Sequence, residues 1–330
     1  MRPARYRDCL IGAAAAVFIA LAAAPTQADD EVGQWLDRMS RAIDGLNYRG
    51  TLVHMRDGRV DTLRVIHRVD DDGIRERIYS VDGQPREMLR DGSQVRTLLA
   101  GDQPLIVRGG IGARLLPNLP VSQLSSPIVA YRMRLAGTER VAGLQARIVE
   151  IRPRDQFRYG HRFWLEEKTG MLLRSALLDS RGGILQKMTF VEIELGVPIS
   201  DRELAPDAAV RDAAGTRMDE QAVPAPAAAA ELQRATWKPA RLPDGFRLAS
   251  VGRGVNPDDR AFEHLLFSDG LASFSVYVEE ASRPVASERI ESIGPVHVYT
   301  GMVENHRVTV VGEVPSATVA LVAKELQRRQ

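Results

Sequence analysis

Arginines crowd the stretch RIVEIRPRDQFRYGHRFW, which runs from residue 147 to residue 164. A guanidinium group offers a planar fork of N–H donors that fits phosphate or carboxylate oxygens two at a time. Aromatic side chains between the arginines could cover an acyl chain or a peptide side chain. The stretch therefore predicts a site for an anionic lipid head group, with candidate ligands Arg147, Arg152, Arg154, Arg158 and Arg162. A solvated arginine-rich sheet face, in a chain with only four lysines, explains the same pattern and stays open.

Large apolar residues occupy both alternating sets of positions in the segments that follow. A sheet with one face in water should alternate cleanly between apolar and polar residues. We therefore expect this part of the sheet to be covered on both faces or to line a cavity. The candidate cavity residues are Phe163, Leu165, Leu173, Met188 and Phe190.

No catalytic or metal-binding pattern fits the remaining chemistry-bearing residues. The six histidines show no i, i+2 or i, i+4 spacing that would place two ligands on one face of a strand or helix. The Lys168-Thr169-Gly170 triplet resembles the KTG of penicillin-recognising enzymes, but no lysine has the serine three residues before it that such enzymes need. We predict no enzymatic activity, no metal and no cofactor.

The first 28 residues have the features of a secretory signal peptide. Arg2, Arg5 and Arg7 precede an apolar run, Leu10 to Ala24, which is shorter than the ~20 residues that span a membrane. Small residues at Thr26 and Ala28 predict cleavage near Ala28 and a periplasmic protein. The only cysteine, Cys9, would be removed, and the near balance of 44 basic and 43 acidic residues gives no reason to expect nucleic-acid binding.

The segments that must position these residues read as one helix followed by many short strands. Apolar residues between Glu31 and Leu46 follow the i, i+3, i+4 spacing of an amphipathic helix. Extended runs follow, and the Asp82-Gly83 and Asp91-Gly92 pairs between them are strong hairpin signals. A second helix is predicted over Ser126–Leu135. We expect an α+β fold, mostly antiparallel β, with a large half-barrel sheet covered by helices.

A stretch rich in alanine and proline divides the chain. We predict a large domain over residues 29–205, a linker over 206–233 and a small α+β domain over 234–330. A helix is expected over Thr318–Leu326, with Ser316 as its N-cap. Aromatic residues often dominate binding energy, so Tyr277 and Tyr299 are candidate partner-binding residues, whereas Trp237 and Phe246 are expected in the core.

These segments resemble the RseB/MucB family of sigma-factor regulatory proteins. The resemblance is carried by LNYRGTLVHMRDGRVDTLRVIHRVDDDGIRERIYSVDGQPREMLRDG from residue 46, by RFWLEEKTGMLLRSALLD from residue 162, and by LPDGF, LLFSDGLASFSVYVEE and GPVHVYTGMVENHRVTVVGEVPSATV in the last third. It consists of short strand and turn motifs in the right order across both predicted domains. It includes no short site motif from which contact residues could be transferred.

The resemblance implies a periplasmic negative regulator of an envelope-stress sigma factor. Such a protein binds the periplasmic domain of a single-span anti-sigma factor, shields it from proteolysis and is released by a lipid or lipopolysaccharide signal. The large domain would have the lipoprotein-carrier fold. A periplasmic lipid or lipoprotein carrier is the alternative, although a plain carrier would end near Pro206. Whether the protein is a homo-oligomer stays open.

Overall fold

The computed structural model describes residues 27–83, 86–92, 94–99, 105–108, 130–206, 218–219, 232–256, 260–281 and 287–329. The predicted signal peptide lies almost wholly outside these residues. The described part of the chain forms a 12-stranded sheet, a six-stranded sheet and a two-stranded sheet, with few helices. No helix in it is long and apolar enough to cross a membrane. The fold is therefore α+β and mostly antiparallel, as the alternation and turn signals predict.

Helix α1, Gln27–Gly45, confirms the predicted N-terminal helix and covers part of the 12-stranded sheet. Its buried face consists of residues spaced three and four apart, which is the spacing that produced the prediction. These residues join the same hydrophobic core as the sheet, and α1 contacts the strands at residues 131–141 and 172–178. The buried residues are Val32, Leu36, Met39, Ala42 and Ile43.

Six strands form the first half of the large sheet. The turn at Asp57-Gly58 and the glycines at 83 and 92 all have positive φ, which tight hairpin turns require. The Asp-Gly pairs therefore act as the hairpin turns that the sequence predicts. In chain order, the strands are β1 Tyr48–Arg56, β2 Arg59–Asp70, β3 Gly73–Ser80, β4 Arg86–Asp91, β5 Gln94–Leu99 and β6 Leu105–Arg108.

Six further strands complete the large sheet, and a short helix follows the last long strand. These elements are β7 Tyr131–Val141, β8 Leu144–Pro153, β9 Gly160–Glu166, β10 Leu172–Leu178, β11 Ile184–Leu195, α2 Asp201–Leu204 and β12 Met218–Asp219. The sheet order is β12-β6-β5-β4-β3-β2-β1-β11-β10-β9-β8-β7, so β11 returns to pair with β1. Strand β12 lies inside the predicted linker and pairs in parallel with β6.

The predicted helix over Ser126–Leu135 is wrong in its second half. Residues 126–129 lie outside the described residues, and Tyr131–Leu135 begins the edge strand β7. Tyr131 is buried while Arg132 and Arg134 are exposed, so the sequence YRMRL alternates with the period of two that a strand needs. The sequence predicts a helix here because Ser126-Pro127 is a helix start signal, whereas the alternation extends over only a few residues.

The C-terminal elements form a separate sheet with its own core. The elements are β13 Trp237–Pro239, β14 Arg247–Val255, β15 Ala261–Ser268, β16 Ser273–Glu280, β17 Arg289–Ile293, β18 Val296–Val303, β19 His306–Gly312, α3 Ser316–Lys324 and β20 Leu326–Arg328. The strand order is β14-β15-β16-β19-β18-β17, while β13 and β20 pair with each other. Trp237 and Phe246 are both buried in this core, as predicted.

Helix α3 begins two residues earlier than the sequence predicts. Its N-cap is Pro315, and Ser316 is the first helical residue instead of the predicted N-cap. Pro315 makes no side-chain capping hydrogen bond. Proline is accommodated at this position because the backbone φ that its ring fixes is the φ that the N-cap residue adopts here. Val319, Val322 and Ala323 of α3 are buried against the six-stranded sheet.

Candidate functional site

The five candidate arginines do not form one cluster. Successive side chains of a strand point to opposite faces of its sheet. On β8, Arg147 therefore lies on the face that carries Leu165, its partner on β9, whereas Arg152 lies on the other face. Arg162 of β9 pairs with Glu150 of β8 and shares the face of Arg152. We call these the inner and the outer face; α1 covers the inner one.

On the outer face, Glu150 is surrounded by three arginines. Arg162 approaches its carboxylate at 2.5 Å and Arg152 at 3.1 Å, and Arg134 of β7 forms a third ion pair. The Glu150 side chain is only 1% exposed. Burial alone would raise the pKa of Glu150, but hydrogen bonds from the three guanidinium groups hold it at about 2. The carboxylate is therefore charged at any physiological pH.

The three arginines carry more positive charge than the single carboxylate that they surround can balance. Arg134 and Arg152 are 62% and 57% exposed, and Arg132 lies opposite Arg152 in the β7–β8 register. We call Arg132, Arg134, Arg152 and Arg162 the outer arginine patch. Its β7 members, Arg132 and Arg134, are not among the candidate arginines because the sequence predicts a helix in that segment. The alternation in YRMRL is the signal that could have found them.

Two of the other candidate arginines lie away from this patch. Arg147, on the inner face, has its guanidinium 5.9 Å from the ring centre of Trp35 in α1. Arg154 follows β8 and donates from Nε to the backbone oxygen of Tyr131 at 3.0 Å. Neither side chain approaches Glu150, so the predicted head-group site keeps only Arg152 and Arg162 in one place.

Arg158 has a different environment from all the others. Its side chain is fully buried and lies 2.5 Å from Asp269, which lies in the turn between β15 and β16 of the six-stranded sheet and is also fully buried. It also donates to the backbone oxygen of Asp244 at 2.5 Å. The guanidinium stacks over the rings of Phe246, at 4.7 Å, and Tyr131, at 5.3 Å. In this arrangement Arg158 joins the two sheets and is not accessible to a head group.

The hydroxyl of Tyr131 completes this contact by donating to Asp269 at 2.8 Å. Burial and the neighbouring Asp269 carboxylate raise the pKa of Tyr131, so the phenol keeps its proton and its donor role. Further along, the hydroxyl group of Tyr159 lies 3.4 Å from Nδ1 of His297. We call these contacts between the large sheet and the six-stranded sheet the joint.

The five candidate cavity residues all lie in the hydrophobic core of the large sheet. Each is at most 3% exposed, and they share that core with the buried face of α1. Helix α1 therefore accounts for the covering of the inner face, whereas the outer face carries the exposed arginines Arg134 and Arg152. The residues are Phe163, Leu165, Leu173, Met188 and Phe190.

Tyr277 and Tyr299 lie on opposite faces of the six-stranded sheet. Tyr277 is half-buried and stacks on His264 with ring centres 4.4 Å apart. Tyr299 is 6% exposed and lines a groove of about 420 Å³ between α3 and the strands β17 and β18. Among the residues that the structure describes, no group of three or more His, Cys, Asp or Glu could hold a metal ion.

Family models match both halves of the chain. The MucB/RseB N-terminal domain matches residues 31–208, and the MucB/RseB C-terminal domain matches residues 231–327. The chain belongs to the MucB/RseB family. The N-terminal match contains the outer arginine patch and Arg158, and the C-terminal match contains Asp269, so the joint connects the two family domains.

Relatives in this family are similar along almost the whole chain. The sigma factor AlgU regulatory protein MucB of Pseudomonas aeruginosa is 32% identical over 317 residues, which cover 93% of this chain and 94% of the relative. The sigma-E factor regulatory protein RseB of Escherichia coli K12 is 26% identical over 298 residues, covering 89% and 90%. Both are named as regulatory proteins.

Solved structures of MucB show the same fold. The MucA/MucB complex of Pseudomonas aeruginosa contains a chain that matches with a TM-score of 0.72 and 29% identity, covering 91% of this chain and 99% of that one. A crystal structure of MucB matches with a TM-score of 0.62 and 28% identity, covering 91% and 98%. The likeness therefore extends across both sheets.

Proposed function

We propose that this protein is a negative regulator of an envelope-stress sigma factor and that it binds the periplasmic domain of a single-span anti-sigma factor. The observation that carries the proposal is the likeness, over 91% of the chain, to a MucB structure solved as a complex with MucA. Binding would shield the anti-sigma factor from proteolysis. This role is one of binding and not of catalysis.

Export to the periplasm belongs to this proposal, with cleavage of the signal peptide near Ala28. The two-domain division and the carrier-like half-barrel belong to it as well. They are supported by two separate hydrophobic cores and by α1, which packs on one face of the large sheet. A lipid or lipoprotein carrier is the second candidate function. The match of residues 231–327 to the C-terminal family domain favours the regulator, since a plain carrier would not need this part.

The first experiment measures partner binding directly. The mature protein, from Asp29 onward, is titrated with the purified periplasmic domain of the anti-sigma factor from the same organism in a calorimeter. We expect a saturable complex, and we expect the bound anti-sigma domain to be cut more slowly by a site-1-type protease. No heat of binding and unchanged cleavage would reject the regulator and leave the carrier.

The release signal is proposed to be a phosphate-bearing lipid whose head group binds the outer arginine patch. The patch has an excess of guanidinium groups, and Arg134 and Arg152 keep donors exposed to solvent. The candidate cavity residues lie across the sheet, under α1, so head group and acyl chain would contact opposite faces. Strand β7 is the edge of the sheet. An acyl chain would therefore have to pass around β7 to reach the inner face.

A double substitution tests this head-group site. Arg134→Gln with Arg152→Gln removes two exposed patch arginines and leaves the Arg162–Glu150 ion pair in place. We expect at least a tenfold loss of binding to vesicles that contain a phosphate-bearing lipid. Arg181→Gln with Arg202→Gln is the matched control, because both residues are exposed and outside the patch. Equal binding by the two double variants would remove the patch from the mechanism.

A further inference from the structure

The loop between β8 and β9 extends from the large sheet to the six-stranded sheet. Near the end of this loop, Arg158 donates three hydrogen bonds. Two go to the C-terminal part of the chain, to the Asp269 carboxylate and the Asp244 backbone oxygen, and the third goes to Asp155 in the same loop. The whole side chain is excluded from solvent. A charge this deeply buried is tolerated only when it is paired and its hydrogen bonds are satisfied.

Asp269 is equally well satisfied. Its Oδ1 accepts from the backbone N–H groups of Leu271 and Ala272, at 2.9 and 2.7 Å, and so holds the turn between β15 and β16. Its Oδ2 accepts from Arg158 and from the hydroxyl of Tyr131. One carboxylate therefore fixes a turn of the six-stranded sheet to a loop and a strand of the large sheet.

A contact of this kind determines an angle as well as a distance. An apolar interface tolerates sliding, because burial is not directional. A guanidinium that lies against the rings of Phe246 and Tyr131 and is hydrogen-bonded to Asp269 satisfies its donors in only one orientation of the two sheets. Leaving one member of such a buried pair without its partner is strongly unfavourable.

We propose that the Arg158–Asp269 ion pair is a latch that holds the two sheets in one relative orientation, and that this orientation is the one that binds the anti-sigma factor. The second half of this statement rests on the proposed function. The TM-score of this structure is 0.72 with the MucB chain of the MucA/MucB complex and 0.62 with MucB by itself, at the same coverage of this chain.

The effect on affinity follows from the population of the latched orientation. If only a fraction of the molecules holds the binding orientation, the apparent affinity falls by that fraction. A joint that stays latched in one molecule in ten would therefore bind the partner about tenfold more weakly. The latch is distinct from the outer arginine patch, because Arg158 is buried in the joint and the patch lies on the outer face of β7 to β9.

The test uses the double variant Arg158→Met with Asp269→Asn. Methionine keeps most of the length of the arginine stem, and the asparagine oxygen still accepts from the backbone N–H groups of the turn. The variant therefore removes the ion pair together with the cross-sheet hydrogen bonds that Arg158 donates. The mature chain has no cysteine. Spin labels can therefore be attached at Arg181→Cys on the large sheet and Asn305→Cys on the six-stranded sheet, both exposed.

Double electron–electron resonance then measures the distance between the labels. We expect one narrow distance distribution in the parent protein and a broadened or shifted one in the double variant. The matched control is Arg77→Met with Glu87→Gln, which removes a largely buried ion pair inside the large sheet. It should leave the distribution narrow. A narrow, unshifted distribution in the Arg158→Met, Asp269→Asn variant would overturn the latch.

Titration with the periplasmic domain of the anti-sigma factor decides the second half of the proposal. We expect at least tenfold weaker binding by the latch variant and less than twofold change in the control. A broadened distance with unchanged affinity would refute the link between orientation and binding. If the parent itself does not bind, the proposed function fails, while the distance measurement still decides the latch. Arg158→Gln with Asp269→Asn removes the same ion pair but keeps a polar side chain at each position, and it provides the same readouts should the first double variant not fold.

Discussion

The hydroxyl group of Thr318 donates a hydrogen bond to the backbone oxygen of Phe157 across 2.5 Å. Thr318 lies in the first turn of α3 and is completely buried, while Phe157 lies in the loop between β8 and β9. The bond links residues 161 positions apart and belongs to the joint, next to the buried Arg158. The joint thus combines polar contacts from loops, from the ends of strands and from the first turn of a helix.

Replacing Thr318 with valine should lower the free energy of unfolding by about 1–2 kcal/mol, because the oxygen of Phe157 loses its donor inside the joint. Chemical denaturation in urea measures this. Thr309→Val is the matched control. Thr309 is half-buried in β19, on the face of the six-stranded sheet that points away from α3, so this substitution should change the free energy of unfolding by less than about 0.5 kcal/mol. Equal effects of the two substitutions would contradict the role assigned to this bond.

Glu150→Gln should destabilise the large sheet by about 1–3 kcal/mol at neutral pH, since three arginines lose their shared carboxylate. The pKa of Glu150 is held at about 2 in the folded protein, below its ordinary value. Its stabilisation is therefore complete above about pH 4.5 and is lost as the pH falls through about 2. The difference between parent and variant should shrink over this range.

Urea denaturation at a series of pH values measures that difference. The exposed Glu167 provides the control Glu167→Gln, for which we expect little change in stability at neutral pH. A constant difference between parent and Glu150→Gln from pH 7 to pH 2 would argue against an arginine-held carboxylate.

His161 should make the protein acid-sensitive at a milder pH. Burial lowers the pKa of His161 to about 4. Between about pH 6.5 and pH 4 the unfolded state then binds more protons than the folded state, so stability falls as the pH falls. The loss is on the order of 2 kcal/mol.

The variant His161→Gln cannot bind that proton and should show a flatter stability curve between pH 6.5 and pH 4. Burial also lowers the pKa values of His54 and His264, so part of the slope should remain. Thermal unfolding followed at half-unit pH steps measures the slope. A curve that runs parallel to that of the parent would show that His161 titrates normally.

Two glycine-to-alanine substitutions should have opposite effects. A Cβ at Gly33 in α1 meets nothing within 4 Å, so Gly33→Ala should raise stability by about 0.5–1 kcal/mol through the lower flexibility of the unfolded chain. A Cβ at Gly50 in β1 would lie 2.5 Å from the backbone oxygen of Glu192 and 3.0 Å from the ring of Phe190. Gly50→Ala should therefore cost about 1–3 kcal/mol.

Urea denaturation of both variants, side by side, measures these opposite shifts. Gly33→Ala serves as the control for the general effect of adding a methyl group. If Gly50→Ala were as stable as the parent, the close approach of β1 and β11 at this residue would have to be wrong.

Local signals predicted most of the secondary structure. The hairpin turns follow from Asp-Gly pairs, and α1 follows from apolar residues at helical spacing, because both depend on residues close in the chain. The wrong prediction of a helix at Tyr131–Leu135 has a local cause as well, because a serine-proline helix start signal lies just before a short alternation of apolar and polar residues. The positions of the site residues relative to one another do not follow from such local signals, because their partners are distant in the chain.

The sequence by itself determined the hairpin turns, the amphipathic helix, the buried pair Trp237 and Phe246, and membership of the MucB/RseB family. The tertiary structure alone decided what each arginine does. Arg158 and Arg162 are four residues apart and look alike in the sequence, yet one joins two sheets and the other lies beside Glu150 on an outer face. The reason is physical: the environment of a side chain depends on partners such as Asp269, 111 positions away, which only the folded chain brings near.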